Sequence, residues 1–338
     1  MDQESTTPTT PTRALGAGRR RLRRLLLGLV VVLLGGVLAL TLALRTPSPV
    51  GHWRSAADHD AFLQTYRAAF ADLPEPAETL DVRTDYGVVR MYRFEGSGDE
   101  PLPLVLLPGT ASASPVWADN LPSLLRIGDV WTLDLLGEPG MSVQSRPITD
   151  HADQARWLDQ ALAGLPEPEV HLVGLSIGGW TAANLALREP THLASLTLVD
   201  PVQVFGDIPL ETVLRSLPSS VSWTPKAWRD SFNSYTAGGA PVEDVPVADM
   251  IESGMAGYAL KLPQPSRIDP TTLAGSDLPV LVLLAGRSVM HDAATAIPAA
   301  ERALPGRVRV YPDATHALNG EYPDELAADV AAFLAQQR

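Results

Sequence analysis

The sequence predicts an α/β chain: a mostly parallel, doubly wound sheet carrying a helical insertion, with one apolar helix in front of it. Three observations lead there. Short apolar runs alternate with helical stretches from residue 104 to the C-terminus, as a doubly wound sheet requires. A serine lies in Gly174-Leu175-Ser176-Ile177-Gly178, between the apolar run His171-Leu172-Val173 and a helical stretch beginning at Gly179. An uncharged run from Leu25 to Leu44 follows the arginines 19, 20, 21, 23 and 24.

The elements follow in chain order. Residues 2–18 are rich in Thr, Pro and Gly, a composition that predicts disorder, and residues 1–24 read as a basic tail. The 20 residues 25–44 make a helix of about 30 Å, long enough to cross the hydrocarbon core. Arginines ahead of it predict a cytoplasmic N-terminus, a single-pass signal anchor in the cell membrane and an extracytoplasmic C-terminal domain. A cleaved signal peptide and a secreted product are the alternative, with Thr41-Leu42-Ala43 as a weak processing site. Residues 45–54 read as a linker. Phe62, Tyr66, Ala69 and Phe70 recur at helical spacing, so an amphipathic helix is expected over Ala56–Ala71, ended by Pro74 and Pro76. Residues 45–79 are thus linker and helix, and the main domain runs from 80 to 338.

Within that domain, Leu80–Arg83 and Val88–Tyr92 read as an antiparallel pair around Thr84-Asp85-Tyr86-Gly87. Further strands are expected at Leu104–Leu107, Val130–Leu133, His171–Leu175, Leu196–Val199, Val280–Leu284 and Arg307–Tyr311. The alternation breaks between Val202 and about Pro270, a Pro-rich stretch with many large apolar side chains.

Composition removes several classes of function. There is no cysteine, so disulfides, thiolate metal sites and a cysteine nucleophile are excluded. Residues 1–44 carry a net charge of +4 and the remainder −17. So acidic an outer domain argues against nucleic acid as a partner. Neither a His-Glu-x-x-His helix nor a phosphate or dinucleotide glycine loop is present, and no metal or cofactor is expected.

A serine on a sharp strand-to-helix turn projects its hydroxyl clear of the backbone, near a helix N-terminus that favours developing negative charge. Ser176 is therefore the candidate nucleophile. Together with Pro108-Gly109-Thr110 after one strand, the glycine-containing turn Asp134–Ser142 after the next, and His316 in a turn behind the last, the chain resembles the α/β-hydrolases from about Leu80 onward. Pro108 stands where that family often has histidine. The resemblance implies an α/β-hydrolase fold with a helical cap inserted after strand 6, here about residues 202–270. It implies His316 as general base and an oxyanion hole made by the backbone amides of Ile177 and of Gly109 or Thr110. It also implies an acid after strand Val280–Leu284, but the expected position holds Val289. Asp200 and Asp292 are the two remaining candidates. His291 falls where the family places its acid. Asp134 and Glu138 read as turn-stabilising. Trp117, Trp223, Trp228 and Phe232 are candidates for an apolar acyl pocket.

Three functions fit: a serine hydrolase cleaving carboxylic esters through an acyl-enzyme, a cofactor-free perhydrolase or C–C hydrolase with the same triad, and a non-catalytic surface domain that binds a ligand or partner. A small ester with an apolar acyl group is the expected partner in the first.

Overall fold

The computed structural model describes residues 15–44, 48–217, 221 and 223–337. The chain divides into two units, Met1–Pro47 and Ser48–Arg338. Of the first, residues 15–44 are described, and they form one helix, Leu15–Leu44. It begins ten residues ahead of the apolar run, so residues 15–24 are helical and not part of an irregular tail. The disorder expected over residues 2–14 lies outside the described residues. Leu25, Leu27, Val32 and Leu34 are exposed on this helix. Among the described residues, no helix is long and apolar enough to cross a membrane. The transmembrane helix expected over 25–44 is therefore not supported by them. The side chains of residues 39, 40 and 42–44, at the end of that run, lie outside the described ones.

The second unit holds the sheet. Its strands are β1 (His52–Trp53), β2 (Glu78–Thr84), β3 (Gly87–Phe94), β4 (Glu100–Leu107), β5 (Gly128–Leu133), β6 (Val143–Gln144), β7 (Val170–Leu175), β8 (Leu193–Val199), β9 (Tyr258–Ala259), β10 (Val280–Ala285) and β11 (Val308–Tyr311). The main sheet has the order β11-β10-β8-β7-β4-β5-β3-β2, with β6 on β3. From β11 to β5 the pairing is parallel, and β2, β3 and β6 close the other side antiparallel.

The apolar runs explain the layers. Successive side chains of a strand face opposite sides, and a parallel sheet is buried on both. Val105 and Leu107 of β4 pack with the helices His151–Leu162 and Ile177–Ala186 on one face. Leu104 and Leu106 pack with Pro323–Leu334 on the other. Both faces need apolar cover, which is why β4, β7 and β10 read as continuous runs and not as alternation.

The expected amphipathic helix spans Ala56–Phe70, and Ser55 caps it by accepting from Asp58 N at 3.1 Å. Phe62, Tyr66 and Ala69 are its buried residues. They meet Met250 of the helix Pro246–Gly257, where Thr65 and Ser253 hydroxyls lie 2.7 Å apart. The linker expected over 45–54 is shorter than that: His52 and Trp53 pair with Ala259 and Tyr258, and the Trp53 ring stacks on His59 and meets Phe62 and Tyr258. Residues 45–47 lie outside the described residues.

The insertion follows β8, the sixth strand when the two-residue β1 and β6 are set aside. It carries the helices Leu210–Ser216, Lys226–Thr236 and Pro246–Gly257. Its first residues belong to the body, because Val202, Val204 and Phe205 are buried in the main core. Residues 218–220 and 222 lie outside the described residues.

Candidate active site

The site forms where β4, β7, β8 and β10 end. β7 runs straight into the helix Ile177–Ala186, and Ser176 is the hinge, with φ 55° and ψ −115°. A non-glycine residue with positive φ is strained. The strain is tolerated because the surroundings fix both ends. Ser176 N donates to Val199 O at 3.0 Å, and Ser176 O accepts from Trp180 N and Val202 N. The turn is also too tight for side chains at its glycines. A Cβ on Gly174 would lie 2.4 Å from Gly178 O, and one on Gly178 would lie 2.5 Å from Pro108 O. Only glycine permits this approach, and it brings the end of β4 against the start of the helix.

His316 lies in the turn after β11. Glu321 holds that turn, accepting from Thr315 N at 2.7 Å and Thr315 Oγ1 at 2.6 Å. His316 Nε2 then stands 2.8 Å from Ser176 Oγ, and His316 Nδ1 stands 2.6 Å from Asp200 Oδ2. A serine hydroxyl at this distance from an imidazole nitrogen has a base in reach, and the carboxylate at the other nitrogen fixes the tautomer that leaves Nε2 free to accept.

Asp200 ends β8 with φ 41° and its side chain is fully buried. Both oxygens are saturated. Oδ1 accepts from Ala285 N at 3.0 Å and lies 2.8 Å from His291 Nε2. Oδ2 accepts from Ser288 Oγ at 2.6 Å beside its contact with His316. Burial by itself pushes this carboxyl up, but the hydrogen bonds from His291 and His316 outweigh it, and the group is held well below the usual carboxylate range.

Asp292 is elsewhere. It is the exposed N-cap of the helix Ala293–Ala303, accepting from Ala294 N at 3.1 Å, and it makes no contact with His316 among the described residues. The loop carrying it turns straight into that helix, so its carboxylate is committed to the cap. Of the remaining histidines, His52, His151 and His192 are tied to nearby backbone carbonyls. His171 sits at the far end of β7 with Ser195 Oγ at 2.8 Å. His291 was not singled out by sequence reasoning as a site residue. Its position in the loop where an acid was expected was the available signal.

Gly109 and Thr110 follow the end of β4, and Ile177 follows Ser176 in the chain. A Cβ on Gly109 would lie 3.6 Å from Ser176 Cβ, and none of the three amides donates to a partner among the described residues. Free amides beside a candidate nucleophile can receive an oxyanion. The loop bearing Gly109 and Thr110 is tied down by two buried acids, in line with the turn-stabilising role expected of both. Asp134 accepts from Ser114 N and Oγ at 2.8 and 2.7 Å, from Met141 N at 2.8 Å and from Tyr66 Oη at 3.0 Å. Burial nonetheless pushes its carboxyl up. Glu138 accepts from Ala111 N at 3.0 Å. Burial pushes it up to about 7, against that single hydrogen bond.

Glu138 makes the stability of the site's floor depend on pH. Its folded value lies above the unfolded 4.5, so the folded state holds the proton more tightly. The associated stability is complete below about 4.5 and lost as pH rises through about 7, a span of up to about 3 kcal/mol. Glu138→Gln keeps an acceptor for Ala111 and removes the titration. Denaturant unfolding at about pH 5 and pH 8 should show the variant gaining on the wild type at the higher pH. Parallel stabilities at the two pH values would contradict this role.

The pocket residues are not where the sequence suggested. Trp117 is fully buried in the core with Leu121 and Leu124, since its short helical turn packs beneath the sheet. Trp223 and Trp228 are 74% and 53% exposed; Trp223 lies ahead of the helix Lys226–Thr236, which turns Arg229, not Trp228, inward to pair with Glu252 at 2.7 Å. Phe232 is half-buried.

Known proteins share this architecture. Residues 104–329 match the model of the alpha/beta hydrolase family. The chain is 24% identical over 285 residues to carboxylesterase YbfK of Bacillus subtilis, covering 81% of this chain and 93% of that protein. The naproxen esterase structure from Bacillus subtilis superposes with a TM-score of 0.74 at 22% identity, covering 83% of this chain and 99% of that one. A putative aryl esterase from Burkholderia cenocepacia superposes at 0.60 with 21% identity, over 77% and 99% of the two chains. The family match spans both sides of the Ser176 turn and reaches past His316, and the chain belongs to the alpha/beta hydrolase family.

Proposed function

We propose that this chain hydrolyses carboxylic esters through an acyl-enzyme on Ser176. The observation that carries the reading is the unbroken hydrogen-bond series from Ser176 Oγ through His316 to Asp200 Oδ2. In this reading Ser176 Oγ attacks the ester carbonyl carbon while His316 Nε2 takes the hydroxyl proton. The carbonyl oxygen becomes an oxyanion and is received by the amides of Ile177 and of Gly109 or Thr110. Collapse breaks the bond to the alcohol, which leaves with the proton from His316. Water repeats the sequence on the acyl group and frees Ser176. Similarity to carboxylesterase YbfK supports esters as the substrate class. The non-catalytic binding reading rested on Val289 occupying the acid's position, and Asp200 at 2.6 Å from His316 weakens that ground. Acid quenching during turnover of p-nitrophenyl esters of graded chain length tests the proposal. The peptide containing Ser176 should gain the mass of the acyl group. Turnover with the acyl group on another residue would contradict it.

A membrane anchor over 25–44, with the hydrolase domain extracytoplasmic, is part of the same proposal and rests on the sequence: five arginines ahead of 20 uncharged residues. The full chain should stay with membranes through an alkaline carbonate wash. Release of the intact chain would contradict the anchor, and a mature N-terminus after residue 43 would favour the cleaved signal instead.

A further inference from the structure

We infer that His291 is a positioning residue of this site, holding the Asp200 carboxylate in the orientation that serves His316. The inference rests on the ester-hydrolase reading above. His291 is 3% exposed, and its Nε2 lies 2.8 Å from Asp200 Oδ1, the oxygen that His316 does not use. Asp200 thus stands between two imidazoles, one on each oxygen.

The proton on His291 is assigned by its surroundings. Nδ1 is buried and has no hydrogen-bond partner among the described residues. A proton there would be a buried, unpaired donor, and the bare Nε2 would point its lone pair at a carboxylate oxygen. The favourable tautomer carries the proton on Nε2 and donates it to Asp200. Ala285 N supplies the second donor to Oδ1. Together they pin one oxygen and so fix the plane in which Oδ2 meets His316 Nδ1.

The loop is built to deliver this ring. Ser288 Oγ donates to Asp200 Oδ2 and accepts from Met290 N at 3.2 Å. Thr212, on the insertion helix Leu210–Ser216, donates to Val289 O at 2.5 Å. The ring's Cβ packs where Gly206 has no side chain: a Cβ on Gly206 would lie 2.9 Å from His291 Cβ. In this chain the loop after β10 thus gives donors to an acid on β8 and does not supply the acid itself.

The test compares His291→Leu, His291→Gln and His291→Asn in the full chain, alone and with Asp200→Asn. The Gln amide nitrogen superposes on Nε2 and can donate to Oδ1, whereas the Asn nitrogen falls at the Nδ1 level and cannot reach. His291→Leu and His291→Asn should lower kcat on the order of 10–100-fold with KM unchanged, and His291→Gln should recover most of it. In the Asp200→Asn background none should cause a further loss. Wild-type kcat in the Asn variant, a Gln variant as slow as Asn, or an undiminished loss in the Asp200→Asn background would each overturn the role. Should His291→Leu fail to fold, the Gln and Asn pair, matched in polarity, decides. Absence of Ser176-dependent turnover in the wild type would overturn the hydrolase reading and this role with it. Turnover intact in all His291 variants would overturn this role alone.

Discussion

Ser176→Ala should lower kcat/KM for a soluble ester on the order of 10⁴–10⁶-fold, about 5–8 kcal/mol of transition-state stabilisation, with the fold intact. The size of the loss follows from what Ser176 does in the proposed reaction. It forms the covalent bond, and neither His316 nor the free amides can replace that. The fold should survive because Ser176 is held by its backbone, through Val199 O, Trp180 N and Val202 N, and alanine keeps those bonds. Its φ of 55° is no worse for alanine than for serine. Steady-state kinetics alongside circular dichroism checks both halves. A folded variant with wild-type turnover would remove Ser176 from the mechanism.

Asp200→Asn should cost about 10⁴ in kcat, while Asp292→Asn should leave kcat/KM at the wild-type level. A carboxamide has one accepting oxygen, but Asp200 receives donors at both. Turned one way, its NH₂ faces Ala285 N–H and His291; turned the other, it faces Ser288 and His316. In the second orientation the amide donates to His316 Nδ1. The ring proton then moves to Nε2, and His316 can no longer accept from Ser176. In the first, two donors are buried against donors, which costs stability. Asp292 only caps a helix at the surface, so its amide substitute caps nearly as well. Kinetics of both variants on one substrate decides between the two acids. Equal loss, or loss only in Asp292→Asn, would contradict the assignment.

Most of the sheet was readable because β4, β7, β8 and β10 are buried on both faces and so appear as unbroken apolar runs. Ser176 was readable because its glycines sit at contacts under 3 Å, where no side chain fits. The proposed acid was not, and the reason is register. Asp200 and Ala285 are 85 positions apart and become neighbours only through the parallel pairing of β8 with β10. Asp200-Pro201 read equally well as a turn pair. His291 was hidden by the same loop: its role exists only once Asp200 is placed. Trp228 departs from expectation for a different reason. Apolar content in an insertion says that large side chains are present, but not which way a helix turns them, and Arg229 took the inward position through its pair with Glu252. β1 was too short to show any period, and its two residues pair only because Tyr258 and Ala259 return beside them.

The central claim is that Ser176 is an activated nucleophile. Labelling the full-length protein with a fluorophosphonate and locating the adduct by mass spectrometry tests it most directly. One adduct is expected, on Ser176, lost in Ser176→Ala and slowed in Asp200→Asn. A folded wild-type protein that takes no label, or a label that persists in Ser176→Ala, would contradict it.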